Sequence, residues 1–397
     1  MVDDSPTDEP SLTELTRRSY LTGLGSGGVL LGASALLGRS GTPNASAEPL
    51  PTQETGGYEV DQTDTDSDVI DLGEEGMEEG DDAGSWLSEY IEDGAEIVVP
   101  AGRYDYSTRA FTRGLGDGYA DVTVRGEGEF GDVVFDHGDG YTFSEVIAAN
   151  GGDVLLDNIV WRGIAGGNGN ITVQAAEGNE VTLRRIARPD GSNDHGEGVF
   201  VRPEHTGAVT LEDCWLEGFA DNGLYGSAPA NSKGNDGEVN VIGGLYRNNN
   251  IANVRIGGTN STIEGATVVL DQSHGDGRWS NNDIGTNMRG IWVREGTSDQ
   301  GADITIRDCD VYNELPYAPV EINPRDGGGS GVITDTRIYN ESDELPAIGH
   351  HGGEWDATDI EITGPGNTDN NINPEDTCTG SQCEQASRTA AEPIGDR

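Results

Sequence analysis

The amino-acid sequence predicts an all-β fold, a single parallel β-helix in which strands stack as a solenoid of about ten coils. The main observation is one pattern, apolar–x–apolar–x–x–small–x–apolar, that occurs eight times between residues 154 and 362. Successive copies start 22 to 30 residues apart, except for one step of 43 residues that carries an insertion. This spacing is typical of solenoids. The anchor residues of the eight copies are Val154/Leu156/Ile159/Trp161, Val181/Leu183/Ile186/Arg188, Val209/Leu211/Cys214/Leu216, Val239/Val241/Gly244/Tyr246, Ser261/Ile263/Ala266/Val268, Ile304/Ile306/Cys309/Val311, Gly331/Ile333/Thr336/Ile338 and Trp355/Ala357/Ile360/Ile362.

A second observation predicts a two-residue bend inside each copy of the pattern. The residue before the small position is Asn, Asp or Gly in seven of the eight copies, and it is Arg185 in the remaining one. Asn, Asp and Gly are the residues that best tolerate the left-handed backbone conformation of a tight turn. The pattern therefore predicts strand, bend, strand. The eight bend residues are Asn158, Arg185, Asp213, Gly243, Gly265, Asp308, Asp335 and Asp359.

Two cysteines occupy the same position in different copies of the pattern. Cys214 and Cys309 are three copies apart, which corresponds to roughly 14 Å at about 4.8 Å per coil. A disulfide requires Cα atoms within about 7 Å. The sequence therefore predicts two buried free thiols, while the spacing of Cys378 and Cys383 leaves a small disulfide loop open.

A capping helix is predicted just before the first regular strand. The stretch Ser85–Asp93 ends at Gly94, a suitable helix terminator, and an apolar strand follows from residue 95. A helix in this position covers the open end of a coil, whose backbone groups would otherwise pair with another strand. The four residues on one face of this helix are Trp86, Leu87, Tyr90 and Ile91.

The organisation of the chain follows from its composition. Residues 1–47 are predicted to be a twin-arginine signal peptide, because Arg17 and Arg18 precede an apolar run and a small-residue cleavage site. Residues 48–83 form an acidic disordered linker, 84–366 the parallel β-helix domain, and 367–397 a polar disordered tail. We expect a protein that is secreted or held at the cell surface, with no membrane insertion after processing.

The charge of the chain is strongly negative. Asp and Glu number 72 against 23 Lys and Arg, which gives a net charge of −49, and Lys233 is the single lysine. Such a surface repels phosphates, so the composition argues against a nucleic-acid partner. This acidic balance resembles that of secreted proteins from haloarchaea. It predicts a halophilic protein, which is expected to act as a monomer.

Each coil also contains a third strand, which lies between successive copies of the pattern. Its inward positions are apolar, and its outward positions combine aromatic residues with arginines. Aromatic rings offer flat faces to sugars, and guanidinium groups match carboxylates or sulfates, so this face predicts binding of an acidic glycan. The outward residues are Thr172, Gln174, Phe200, Arg202, Tyr225, Arg255, Trp292, Arg294, Glu321 and Asn323.

The loops that lead into the third strand carry titratable groups. They include Asp194 and His195 in one loop and Asp221 and Asn222 in the next. The insertion at residues 271–290 leads into the same strand and carries His274. Long loops on a rigid scaffold often form the walls of binding or catalytic sites. The histidines lack the spacing of a metal site, so no metal ligand is predicted.

The capping helix, the strand IVVPAGRY and the repeated coils together resemble the pectate-lyase-like superfamily of right-handed parallel β-helices, over about residues 85–365. This resemblance implies a right-handed fold and an activity on acidic polysaccharides, as a polysaccharide lyase or a uronate epimerase. Calcium is a cofactor that the chemistry could use, held by acidic loop residues.

For an elimination we assign the catalytic roles to Arg255, Arg294, Tyr225 and His195. The two arginines would neutralise a uronate carboxylate, and Tyr225 or His195 would carry the proton. The residues expected to bind substrate are Phe200, Arg202, Trp292, Glu321, Asp221, Asn222 and His274.

Two alternatives to a lyase or epimerase stay open. A hydrolase needs two carboxyl groups roughly 5–9 Å apart, and the best pair in the sequence, Asp221 and Glu321, is separated by several coils. The alternative from a different class is a non-catalytic, glycan-binding or structural protein of the cell surface. The Asn-x-Ser/Thr triplets at Asn170, Asn260 and Asn340 fit such a protein.

Overall fold

The structure, a computed structural model, describes residues 69–388 except 115, 141–143, 168, 275–278, 280–284, 295, 297–299 and 326. These residues form a right-handed parallel β-helix of about ten turns, which confirms the predicted fold class. The strands stack in three parallel ladders along the solenoid, and the third ladder begins only at Ser144. None of the helices among the described residues is long and apolar enough to cross a membrane.

The first two ladders form one 20-stranded sheet that folds at the bends. The first ladder contains Val69–Asp71, Glu96–Val99, Val122–Gly126, the first halves of Val154–Arg162 and Glu180–Arg188, Ala208–Glu212, Glu238–Ile242, Thr262–Glu264, Ile304–Arg307, Ser330–Thr334 and Glu354–Thr358. The second ladder contains Gly102–Asp105, Val133–Asp136, the second halves of the same two long strands, Trp215–Glu217, Leu245–Arg247, Thr267–Leu270, Asp310–Asn313, Arg337–Asn340, Ile360–Thr363 and Thr377–Thr379.

The third ladder is a separate eight-stranded sheet, and it consists of the predicted third strands with one more strand before them. Its strands are Ser144–Ala149, Asn170–Ala175, Val199–Val201, Leu224–Gly226, Val254–Ile256, Arg289–Arg294, Ala318–Asn323 and Ile348–His350. Inward residues of all three ladders meet in one continuous apolar core. Residues far apart in the chain are thereby brought into rows along the solenoid.

All eight predicted bend residues have a left-handed backbone, with φ between 49° and 66°. Arg185, the one residue type that the pattern did not favour, has φ 50°. Its side chain forms two hydrogen bonds with the carboxylate of Asp157 in the preceding coil, at 2.9 and 2.5 Å. This bidentate ion pair helps to hold a conformation that is unfavourable for a residue with a Cβ atom.

The cysteines behave as the repeat predicts. Cys214 and Cys309 are buried free thiols, three coils apart in the column that follows the bends. Burial raises the pKa of each thiol to about 12, so both are held in the neutral form. Cys378 and Cys383 form a disulfide with Cα atoms 5.9 Å apart.

The folded part of the chain extends beyond both predicted boundaries. Val69–Asp71 pairs with Glu96–Val98, although it falls in the predicted linker 48–83. Thr377–Thr379 pairs with Ile360–Ile362, although it falls in the predicted tail 367–397. Both segments are only three residues long, too short for periodicity to reveal them, and the neighbouring coil supplies their pairing. The predicted signal peptide 1–47 and the linker up to residue 68 lie outside the described residues.

Two helices precede the regular coils, Leu72–Glu75 and Ala83–Tyr90. The second is the predicted capping helix, shifted two to three residues towards the amino terminus. Asp82 causes this shift, because its carboxylate accepts a hydrogen bond from the Gly84 backbone N–H and caps the helix there. Leu87 is 2% exposed and belongs to the core of the first coil.

Candidate functional site

The third ladder places five of the predicted site residues in one row. Each is the direct partner of the next in the neighbouring strand, in the order Phe200, Tyr225, Arg255, Trp292 and Glu321. Their alternation with buried valines and isoleucines puts these side chains on the outer face of the ladder. We call these five residues the aromatic–arginine row.

Arg255 lies between two aromatic rings of the aromatic–arginine row. Its Cζ atom is 4.1 Å from the ring centroid of Tyr225 and 4.6 Å from that of Trp292. Phe200 packs edge-on against Tyr225, with ring centroids 5.3 Å apart. A guanidinium at these distances is attracted by the electron-rich faces of both rings. Arg255 is thus oriented by its neighbours above and below.

Two further arginines surround Trp292. The Cζ atom of Arg289 is 4.2 Å and that of Arg294 is 5.4 Å from the Trp292 ring centroid. Arg289 also forms an ion pair with Glu321, and Arg294 donates to the backbone oxygen of Asn323 at 2.9 Å. Arg289 was missed in the sequence because it was assigned to the insertion, although its position just before an apolar strand could have revealed it.

The electrostatics of Glu321 reflect these contacts. Burial alone would raise the pKa of this carboxyl, but the charge of Arg289 and the hydrogen bonds from Asn323 and Arg289 outweigh burial. The pKa of Glu321 is therefore below its usual value, and the carboxylate is ionised at neutral pH. Glu321 acts as the counter-charge of Arg289, which is a positioning role rather than proton transfer.

The centre of the aromatic–arginine row is less accessible than its flanks. Tyr225, Arg255 and Trp292 are 5%, 3% and 9% exposed. Phe200 and Arg294 are half-buried and remain in contact with solvent. Arg202 follows the same strand as Phe200, and its guanidinium donates to Glu204 at 3.0 Å. A ligand on this face would first meet the flanking residues.

Asp221 and Asn222 lie in the turn before Leu224–Gly226, with 2% and 0% exposure. Glu197, which sequence reasoning missed, lies in the equivalent turn of the preceding coil. Burial, together with the nearby charge of Asp221, raises the pKa of Glu197 to about 8, and Asn170 donates to its carboxyl at 3.1 Å. The signal for Glu197 was the acidic residue directly before the strand in the loop that carries His195.

Asp221 and Glu321 are not brought together. Tyr225, in the coil of Asp221, is followed by Arg255, Trp292 and then Glu321 along the row, so the two carboxylates are about three coils, roughly 14 Å, apart. The separation predicted from the sequence is confirmed. This pair cannot serve as the two carboxyl groups of a hydrolase.

Neither predicted histidine belongs to the aromatic–arginine row. His195 is in the turn before Val199–Val201, with Nε2 3.5 Å from the Asp194 carboxylate. His274 is at the start of the insertion, where its ring packs edge-on against Trp279 with centroids 5.2 Å apart. The indole N–H of Trp279 donates to the Gly218 carbonyl at 3.1 Å. This contact holds part of the insertion against the turns that lead into the third ladder.

No group of three or more His, Cys, Asp or Glu side chains within the described ranges is arranged to hold a metal ion. The carboxylates near the candidate site are instead occupied by arginines and amides, as in the pairs Glu321–Arg289 and Glu197–Asn170. These residues do not fit a calcium site.

Comparison with known proteins gives no match of any kind: no family model, no curated protein and no solved structure matches the chain. The strongest candidate for a binding or catalytic site is the aromatic–arginine row, with Arg289 and Arg294 beside it.

Proposed function

We propose that the protein binds an acidic polysaccharide across the third ladder and acts on it as a polysaccharide lyase or uronate epimerase. The observation that carries the proposal is the aromatic–arginine row together with Arg289 and Arg294, which brings three arginines and the rings onto one face of a chain with net charge −49. A polyanion is repelled by an acidic surface, so it would be retained only where arginines are gathered.

Arginines also lie on the other two ladders of the solenoid. Arg103, Arg307 and Arg337 each pair with a carboxylate of a neighbouring coil, namely Asp136, Glu264 and Asp310. Such pairs fasten successive coils and neutralise the arginine. Arg255 has its guanidinium held against Tyr225 and Trp292, in an orientation set by packing.

The reaction would proceed at a uronate residue of the polysaccharide. Arg255 and Arg294 attract the carboxylate, which makes the C5 proton more acidic. Tyr225 or His195 takes that proton. In elimination the C4–O bond then breaks, a C4=C5 double bond forms, and the leaving oxygen is protonated. In epimerisation a proton returns to C5 from the opposite side. Phe200, Arg202, Trp292 and His274 would contact neighbouring sugar units. Asp221 and Asn222, at 2% and 0% exposure, would instead hold the turn before Leu224–Gly226 in place.

The broader setting is part of the same proposal. The solenoid and the capping helix support assignment to the pectate-lyase-like superfamily, and the scarcity of lysine supports a halophilic source. Export through the twin-arginine pathway, to the medium or the cell surface, rests on residues 1–47. We infer that the mature protein acts as a monomer.

A non-catalytic glycan-binding role is the second candidate, and the burial of Tyr225, Arg255 and Trp292 favours it. At 5%, 3% and 9% exposure, these side chains could serve only to hold a rigid face for a ligand. Phe200, Arg202 and Arg294 at the flanks would then make the contacts. The catalytic and the non-catalytic function are distinguished by whether the protein converts a polysaccharide into product.

The test is to incubate the protein with a panel of uronate polymers. Unsaturated products are followed by ultraviolet absorbance, and epimerisation by incorporation of deuterium from D₂O at C5. We expect turnover, and a loss of about 100-fold or more in Arg255→Ala, because a lost electrostatic contact to the developing charge has this order of effect. Arg294→Ala, at a half-buried position, is the second variant in case Arg255→Ala does not fold.

Arg103→Ala is the matched control, since Arg103 is a 61%-exposed arginine paired with Asp136 on another ladder. It should keep full activity. Binding without product or deuterium incorporation would favour the non-catalytic role. If no polymer binds, or if Arg103→Ala loses as much activity as Arg255→Ala, the assignment of the site is contradicted.

A further inference from the structure

Three Asn-x-Ser/Thr triplets lie in the described part of the chain, starting at Asn170, Asn260 and Asn340. Such triplets are the acceptors for N-linked glycans, but the sequence alone does not distinguish them. The solenoid places the three asparagines in different surroundings. An acceptor needs a side-chain amide that reaches solvent, and a product needs room for a sugar on that amide.

Asn340 is fully buried and its side chain is used by the fold. Its Nδ2 donates to the carbonyls of Leu345 and Asn367, at 3.1 and 2.8 Å. Its Oδ1 accepts from Asn313 Nδ2 at 2.8 Å and from the Ser342 backbone N–H at 3.1 Å. A sugar on this amide would break these bonds and has no space, because Asn340 is 0% exposed.

Asn170 is also occupied. Its Nδ2 donates to Glu197 at 3.1 Å, and its Oδ1 accepts the hydroxyl of Thr172 at 2.7 Å. Thr172, the hydroxyl residue of the triplet, is 9% exposed. Both polar members of this triplet are therefore engaged within the protein.

Asn260 is exposed, in the turn between Val254–Ile256 and Thr262–Glu264. Its backbone is anchored, since its N–H donates to the Ala302 carbonyl at 2.9 Å. The next residue, Ser261, is 0% exposed, and its hydroxyl accepts from the Val239 N–H at 3.0 Å. Asn260 is exposed and Thr262 is half-buried, so both polar members of the triplet reach solvent.

We propose that Asn260 is an N-glycosylation site and that Asn170 and Asn340 are not. The donor is a lipid-phosphate-linked oligosaccharide. A bond forms between Asn260 Nδ2 and C1 of the first sugar, while the bond between C1 and the phosphate oxygen breaks. The lipid phosphate leaves with the electron pair, and the amide proton passes to a base. The site does not depend on the proposed activity towards polysaccharides.

The experiment is mass spectrometry of the full protein, purified from its producing cells and digested to peptides. We expect the peptide with Asn260 to carry a glycan and the peptides with Asn170 and Asn340 to have their unmodified masses. Asn260→Asp should remove the glycan while tolerating the left-handed backbone at this position, where φ is 61°. Thr262→Val should also remove it, because the hydroxyl is lost, whereas Thr262→Ser should retain it.

Ser342→Ala serves as the control, because it disrupts the Asn340 triplet, leaves the Asn260 triplet intact and should leave the glycan mass unchanged. An unmodified Asn260 in protein from the native cells would overturn the proposal. So would a glycan on Asn170 or Asn340 in folded protein, or a glycan that persists in Thr262→Val.

Discussion

Replacing Asn340 by alanine is expected to lower the free energy of unfolding by about 3–5 kcal/mol, one of the largest effects of any single polar substitution in this chain. The side chain is fully buried and links two coils by accepting from Asn313. Alanine would leave the amide of Asn313 and the carbonyls of Leu345 and Asn367 without this partner. Each buried polar group that loses its hydrogen-bond partner lowers the free energy of unfolding by about 1–3 kcal/mol. In Asn340→Ala several groups would lose a partner at once.

The measurement is denaturant-induced unfolding followed by circular dichroism. Asn371→Ala is the matched control, since Asn371 is an exposed asparagine near the same end of the solenoid. It should change the unfolding free energy by less than about 0.5 kcal/mol. A loss below about 1 kcal/mol in Asn340→Ala would mean that water replaces the missing amide and that the contact between coils is weak.

The bends show how much of the fold was predictable from the sequence. Asn158, Asp213 and Gly243 were predicted to be left-handed because of their residue types, and the structure has them so. Arg185 was predicted only by its position in the repeat, and it is left-handed as well. A property that every coil repeats can be averaged over eight copies, so one unfavourable residue does not hide it.

The aromatic–arginine row was predictable for the same reason. Period-2 alternation identifies the outward positions of a strand, and stacking of parallel strands then aligns them. Tyr225, Arg255 and Trp292 are direct neighbours in the structure as a result. Their low exposure was not predictable, because it depends on what packs over the face and not on the strands themselves.

Contacts that do not repeat were the ones that the sequence could not show. Arg289 reaches Glu321, and Asn170 reaches Glu197, across turns of unequal length. The Asn313–Asn340 contact is different, because the two residues occupy equivalent positions in adjacent coils and the strand register alone pairs them. Side-chain pairing across unequal turns requires the turn geometry, which local periodicity does not contain.

Replacing Glu197 by glutamine is expected to make the free energy of unfolding depend less on pH between about 4.5 and 8. The pKa of Glu197 is raised from its usual 4.5 to about 8, by burial first and then by the charge of Asp221. Below pH 4.5 the carboxyl is protonated in both the folded and the unfolded chain. Between pH 4.5 and 8 the unfolded chain loses this proton and the folded chain keeps it. The free energy of unfolding therefore falls by up to about 1.4 kcal/mol per pH unit over this interval.

Glutamine removes this pH dependence of the unfolding free energy, because it has no proton to lose. Its amide oxygen can still accept a hydrogen bond from Asn170, as Glu197 does at 3.1 Å. The test compares unfolding free energies of the two proteins from pH 4.5 to 9, so that carboxyls with lowered pKa, such as Glu321, cancel in the difference. The variant should gain stability relative to the wild type as the pH rises, and the difference should level off near pH 8. Glu129→Gln, at an exposed position, should show no such gain. A difference that stays constant with pH would contradict the prediction, because Glu197 would then lose its proton over the same pH range in the folded and the unfolded chain.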